Sequence, residues 1–349
     1  MLGLWLMIGL LILGRVLRAP RHVTLTMIGV LWLGTIILQL TMPGSGPARA
    51  VGGNAAGWLV LGAIVALAIG YRRLLARLRR GAVPVADPPP SPDKGLSEAE
   101  LERYARHLVL HQIGGPGQMR LREARVLVVG AGGLGSPLCL YLAAAGVGHV
   151  TLADDDTVSL SNLQRQVIFR NDLRGEPKAY AAAEAMLKLN PHVEVTPLIR
   201  RIGQDDHDVI AGHDLVIDGT DSFAGRAATN RACLEAGVPL IWGAIGQWEG
   251  QVTLFDPSRG GPCMACLFPH APERDAPCAE AGVVGALPGI IGSMMALEAI
   301  KHLTGAGQGL RGRMMLFDGL YGESRMIATE RDPACPVCAG ALAEGERRH

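Results

Sequence analysis

Three long apolar runs open the chain, at residues 2–14 (LGLWLMIGLLILG), 23–42 (VTLTMIGVLWLGTIILQLTM) and 55–70 (AAGWLVLGAIVALAIG), the last extendable back to Val51. A helix of about 20 apolar residues crosses the hydrocarbon core of a bilayer. The second and third runs reach that length. The first does so only if Arg15 and Arg18 reach back to the interface along their apolar stems; otherwise it lies on the surface. The expected helices are about 2–18, 23–42 and 51–71, two or three of them transmembrane, within a region 1–80. Buried helices of a soluble domain are the alternative. No basic segment precedes the first run and no clear cleavage site follows it, which argues against a signal peptide. Residues 81–95 (GAVPVADPPPSPDKG) form a Pro-rich, semi-rigid linker.

From residue 96 to 349 the pattern changes to short β-branched runs alternating with helical periods. Ser97 and Glu100 stand at capping-box spacing and predict a helix to about His111. RVLVVG (125–130) reads as a buried strand, LGSPLCLYLAAAGV as the helix after it, and HVTLADDD as a second strand with acidic residues at its carboxyl end. EPKAYAAAEAMLKLNP is a helix with Pro177 in its first turn and Pro191 at its stop. VEVTPL, DLVIDGTD and PLIWGA are further strands, with a helix over 222–236 between the last two. QVTLF, MMLFDG and SRMIAT predict antiparallel strands, and 290–303 an apolar helix. The fold class is therefore α/β: a doubly wound Rossmann-like sheet, mostly parallel with antiparallel C-terminal strands, preceded by the transmembrane helices. Ligands of such sheets bind outside the carboxyl ends of the strands. Gly130, Asp154, Asp221 and Gly243 are expected there.

Composition and charge narrow the picture. The 349 residues carry a formal net charge of +1, so no bulk field favours nucleic acid as a partner. The hydrophobic fraction of 49% is high for a soluble enzyme, and the excess lies at the N-terminus. Arg15, Arg18 and Arg21 lie between the first two apolar runs, and Arg72, Arg73, Arg77, Arg79 and Arg80 follow the third; only Arg49 lies between the second and third. Basic residues stay on the cytoplasmic side. The expectation is a multi-pass protein of the inner or plasma membrane with a cytoplasmic catalytic domain. An odd count of seven cysteines (139, 233, 263, 266, 278, 335 and 338) argues against a disulfide framework.

The chemistry gathers around GAGGLG. Gly130, Gly132, Gly133 and Gly135 follow a strand and open a helix, as a phosphate-binding turn must. Asp154, about 20 residues on at a strand end, suits the hydroxyls of a ribose. Asp156 reads either as a turn cap or as a group approaching the phosphates or their metal. The polar run SLSNLQRQ is surplus to a nicotinamide site but suits a triphosphate. Arg165 and Lys178 are cations for a pyrophosphate leaving group. Asn162 and Gln166 hydrogen-bond phosphates or hold Arg165. Asp221 in DGTDS suits magnesium, with a helix N-cap as the alternative. Cys263–Cys266 and Cys335–Cys338 are two CxxC pairs that suit one structural zinc, with redox pairs as the alternative. Cys139 and Cys233 fall inside helices, as core residues.

With these motifs in this order, the chain resembles the MoeB and ThiF adenylyltransferases of sulfur-carrier pathways, which are of the ubiquitin-activating type. RYARH, RVLVVGAGGLGSPLCLYLAAAGVGHVTLADDDTVSLSNLQRQ, GEPKA, DGTDS, EGQVTLF, CAEAGVVGALPGIIGSMMALEAIK and both CxxC pairs carry the resemblance, over roughly residues 97–340. It implies that the C-terminal Gly-Gly carboxylate of a small ubiquitin-like sulfur-carrier protein attacks the α-phosphate of Mg-ATP. The products are a carrier acyl-adenylate and pyrophosphate. The resemblance assigns Gly133 to the nucleotide turn, Asp154 to ribose, Asn162, Arg165 and Lys178 to phosphates, and Asp221 to magnesium. Arg106 matches an arginine that reaches the γ-phosphate from a neighbouring subunit, implying a homodimer. Cys278 matches a family cysteine that in ThiF-like proteins bonds the activated carrier and in MoeB-like ones is not required. The N-terminal 95 residues have no counterpart in the family pattern. No rhodanese-like extension follows Cys338, so a separate sulfur-donor protein is expected. A nicotinamide oxidoreductase would leave Arg165, Lys178 and the cysteine pairs without a role. A non-catalytic scaffold for a ubiquitin-like protein would not need the ATP residues.

Overall fold

The computed structural model describes residues 2–16, 21–81, 95–271 and 282–339. The chain divides into two compact units, 1–89 and 90–349. Most of the 81–95 linker lies outside the described residues.

The first unit is helical: α1 (Leu2–Val16), α2 (Arg21–Thr41), α3 (Gly46–Val51) and α4 (Ala55–Gly81). Among the described residues, one helix is long and apolar enough to cross a membrane, Val23–Thr41. This corrects the expected two or three. The apolar parts of α1 and α4 are shorter, Leu2–Gly14 and Ala55–Ala68. The third run does not extend back to Val51 because the chain turns at Gly52 and Gly53, both at positive φ. The Asn54 side chain then caps α4, accepting from the Gly57 amide at 2.8 Å. Met7, Ile36 and Trp58 form a small core. Trp32 Nε1 donates to the Trp58 carbonyl and Trp58 Nε1 to the Gly52 carbonyl, so neither indole nitrogen is left unpaired.

The second unit holds an eight-stranded sheet in the order β3-β2-β1-β4-β5-β6-β7-β8. Its strands are β1 Arg125–Val129, β2 His149–Ala153, β3 Glu194–Leu198, β4 Leu215–Asp218, β5 Leu240–Ile245, β6 Glu249–Phe255, β7 Arg313–Asp318 and β8 Glu323–Ala328. Pairs among β1–β5 are parallel and the three pairs beyond β5 are antiparallel. Strand β1 is apolar at every interior position because both faces are covered. Val126 and Val128 enter one core, Leu127 and Val129 the other. The first core is closed by α8 (Gly135–Ala145), α9 (Lys178–Leu189) and the helix Leu287–Thr304 (α13). The second is closed by α10 (His207–Ala211), α11 (Phe223–Ala236) and the short α12 (Met264–Leu267). The chain runs outward from β1 to β3, then returns to β4 beside β1. That reversal opens a crevice at the carboxyl ends of β1 and β4.

Several expectations are corrected. The capping box forms, with the Ser97 amide donating to Glu100 and the Glu100 amide to Ser97 Oγ. The helix then breaks at Tyr104 into α5 (Glu98–Arg103) and α6 (Ala105–Leu108). Tyr104 is drawn into the core, where its hydroxyl accepts from Asn190 Nδ2 at 2.8 Å. Another helix, α7 (Gly114–Glu123), was hidden by three glycines and Pro116 in its first turns. Gly243 lies inside β5, not at its end; a Cβ there would sit 2.3 Å from Met295 Sδ, so it is a packing glycine under α13. Cys139 and Cys233 are buried core residues, and burial pushes the Cys139 thiol up to about 12.

Candidate functional site

A cavity of about 580 Å³ opens at the crevice between β1 and β4. Its walls include Gly130, Gly132, Gly133, Asp154, Asp156, Asn162, Arg165, Gln166, Lys178 and Asp221. Residues spread over 92 positions of sequence thus meet at the carboxyl end of the sheet, most of them because they follow a strand or open a helix there.

The glycine turn is built by exclusion. Gly130 sits at φ +93. A Cβ on Gly135 would lie 2.1 Å from the Gly130 carbonyl oxygen, so α8 can start against the turn only without a side chain. Gly133 is closed by Pro288, at 3.0 Å from such a Cβ. At Gly132 the nearest atom is Gln166 Nε2 at 3.7 Å, which leaves an open cradle along the cavity wall.

Asp154 directly follows β2 and faces this turn. Its Oδ2 accepts from the Ala131 amide at 2.7 Å and its Oδ1 from the Asp156 amide at 2.9 Å. Burial holds its carboxyl above the usual range, against the opposing pull of Lys178 and the two amides. Lys178, at the first position of α9, is itself buried, and its Nζ lies 2.8 Å from Asp156 Oδ2. Asp156 therefore contacts a cation of the site directly. Arg165 donates to Asn162 Oδ1 at 3.0 Å, so of the two roles open to Asn162 and Gln166, Asn162 holds the arginine. Gln166 is buried, and its Oε1 has no partner among the described residues. A buried amide oxygen left unpaired is costly; the same side chain lines the cavity and sets its Nε2 beside the Gly132 cradle.

Asp221 is exposed on the cavity wall and makes no hydrogen bond or ion pair among the described residues. It is not the N-cap of α11. Ser222 takes that role, accepting from the Gly225 amide at 3.1 Å. The carboxylate is left available for a cation. Arg106 lies exposed on α6 and is not part of this chain's cavity wall. Cys278 lies outside the described residues.

Polar residues of the cavity that were given no role from sequence include Thr220, Ser222, Thr229, Arg200, Arg201 and Arg226. Arg200 pairs with Asp206 at 2.7 Å and Arg201 with Asp155 at 2.9 Å. Both follow β3, so the strand-end rule applied to VEVTPLIRR would have found them. Arg226 donates to the Thr220 carbonyl and lies 5.2 Å from the Trp242 ring centre. No local signal marks it.

Cys263, Cys266, Cys335 and Cys338 meet beside Leu234 of α11. Their sulfur atoms all lie within 4.8 Å of one another, with separations of 3.7 Å (263–335), 3.8 Å (263–266) and 3.5 Å (266–338). Four thiolates at about 2.3 Å around a tetrahedral ion stand about 3.8 Å apart. The four-cysteine cluster therefore has the dimensions of a metal site.

Comparison with known proteins agrees with this geometry. Residues 104–337 match the ThiF family. A sulfur carrier protein adenylyltransferase of Thermus thermophilus is 45% identical over 249 residues, 69% of this chain and 92% of that protein. A molybdopterin-synthase adenylyltransferase of Escherichia coli is 44% identical over 246 residues, 70% of this chain and 98% of that one. Among solved structures, E. coli MccB with MccA-N7isoASN superposes with a TM-score of 0.61 at 22% identity, covering 68% of this chain and 74% of the other; this is a likeness of fold. Matched along most of its length and at such identities, the chain belongs to the ThiF family.

Proposed function

We propose that this protein uses ATP to adenylate the C-terminal Gly-Gly carboxylate of a small ubiquitin-like sulfur-carrier protein, releasing pyrophosphate. The observation that carries this reading is the joining of the glycine cradle to Arg165 and Lys178 in one cavity. A dinucleotide's pyrophosphate needs the glycines; an extra pair of cations suits a triphosphate whose outer two phosphates must leave. The relatives named above support the same reaction, since their names describe adenylyltransferases of sulfur carriers and molybdopterin synthase.

The residues divide the work. The open cradle at Gly132 admits phosphate oxygens against the backbone, and the N-terminus of α8 adds positive potential. Asp154 accepts from the ribose hydroxyls. Arg165, held by Asn162, and Lys178 stabilise the charge that builds on the leaving pyrophosphate. Asp221 would hold magnesium, which neutralises phosphate charge when bound. Arg106 would act on the γ-phosphate of a neighbouring subunit in a homodimer; its exposure on α6, off its own cavity wall, supports that role. The four cysteines would hold zinc, as a structural site with every ligand position filled by protein. The adenylate then passes to a sulfur-donor protein.

The N-terminal unit is read as a membrane anchor with the catalytic domain on the cytoplasmic side. Val23–Thr41 supports this by its length and by being only 11% buried. The arginines that flank the apolar runs support the orientation. The test of the reaction is exchange of labelled pyrophosphate into ATP. It should require both Mg²⁺ and a carrier ending in Gly-Gly; exchange without a carrier, or none with any carrier, would count against it.

A further inference from the structure

The cations of the cavity are not equally placed. Arg200 and Arg201 pair with carboxylates while their own side chains are 43% and 81% exposed. Lys178 is 3% exposed, and its ammonium meets Asp156 2.8 Å away. This contact is built on a rigid frame. The Lys178 amide donates to the Asp156 carbonyl at 2.9 Å, and the Val158 amide to the Glu176 carbonyl at 2.9 Å. Thr157 and Pro177 form the antiparallel bridge between these bonds. The Asp156 amide in turn donates to Asp154 Oδ1. One chain of bonds thus runs from the glycine turn through Asp154 and Asp156 to Lys178.

We propose that Asp156 is a positioning residue that shares the Lys178 ammonium with the incoming triphosphate, so that the cation's full pull develops only as charge builds on the leaving pyrophosphate. The inference rests on the adenylation reading given above. An ammonium has three donors and can serve a carboxylate and a phosphate at once. A carboxylate on the lysine repels the phosphates in the bound ground state and weakens the cation's hold there. Interactions that strengthen toward the transition state raise the rate; equal binding of both states does not. The backbone frame keeps Asp156 in place while the lysine shifts its bond.

Asp156→Asn keeps an acceptor for Nζ and removes the charge. In the full-length protein, with a Gly-Gly carrier present, it should lower KM for ATP and kcat together, each by about three- to tenfold, the size expected of one partly screened charge near the phosphates. Asp156→Glu should return both toward wild type. In a Lys178→Met background, adding Asp156→Asn should leave kcat unchanged, because the effect acts through the lysine. A KM for the Asn variant equal to or above wild type, or the same kcat loss without Lys178, would overturn the assignment. Should the Asn variant not fold, as read by thermal unfolding, the Glu variant decides: KM and kcat far from wild type in a folded protein would overturn it. A wild-type protein that binds no ATP would instead refute the adenylation reading, and this inference with it.

Discussion

Adding one methyl group at either of two glycines of the nucleotide turn separates folding from binding. At Gly135 a Cβ would stand 2.1 Å from the Gly130 carbonyl oxygen, an atom fixed at the end of β1. A carbon and an oxygen that do not bond need more than about 3 Å, so α8 or the turn must move by roughly 1 Å. Forcing a methyl into packed structure costs about 1–3 kcal/mol. Alanine's better helix propensity returns under about 1 kcal/mol of that. For a unit of this size each kcal/mol shifts Tm by about 2–4 °C. Gly135→Ala should therefore lower Tm by several degrees and weaken ATP binding with it. At Gly132 the nearest atom to a Cβ is 3.7 Å away and the methyl enters the cavity. Gly132→Ala should leave Tm within about 1 °C of wild type, because no packed atom has to move, yet weaken ATP binding at least tenfold. Thermal unfolding and calorimetric ATP titration of the full-length protein read both effects. A Gly135→Ala protein as stable as wild type, or a Gly132→Ala protein that binds ATP normally, would refute the reasoning.

Three further outcomes are expected. Asp221→Ala should lower kcat by about 100-fold or more through loss of metal-assisted charge neutralisation, with unchanged Tm because the side chain has no partner among the described residues; normal turnover would remove it from the site. Metal analysis should find about one zinc per chain, and a strong chelator should lower Tm, since metal held by four thiolates contributes to folding; a metal-free protein of equal stability would exclude the assignment. Asp154 holds its proton more tightly than an ordinary aspartate of pKa 3.8, chiefly through burial. Its stabilising effect on the fold is therefore present below the unfolded value and lost as pH rises through the raised folded value. Its acceptor role for ribose runs the other way, so ATP affinity should begin to fall on acidification while the pH is still above 3.8, and Asp154→Asn should flatten that limb; an equal limb in the variant would contradict it.

The strand ends were legible in sequence because a parallel sheet buried on both faces writes its strands as apolar runs, and the runs of β1, β2 and β4 stop at a glycine or an acid. Asp154, Asp221 and the glycine turn follow from that. The two CxxC spacings made the cysteine cluster legible for a similar reason: a four-thiolate site needs ligands in close pairs. Contacts between distant segments were hidden. The break at Tyr104 depends on Asn190, 86 residues away. The partner of Lys178 depends on a bridge between residues 157 and 177. In the helical unit, run length alone overstated the spans, because Gly52 and Gly53 turn the chain inside what reads as one apolar stretch.

The central claim is that this cavity makes an acyl-adenylate from a polypeptide tail. Intact mass spectrometry of a Gly-Gly-ended carrier, incubated with the full-length protein, ATP and Mg²⁺, tests it most directly. The account expects the carrier to gain one adenylyl group, with pyrophosphate released and no gain when the terminal glycine is deleted. A carrier of unchanged mass under conditions where ATP is bound would contradict it.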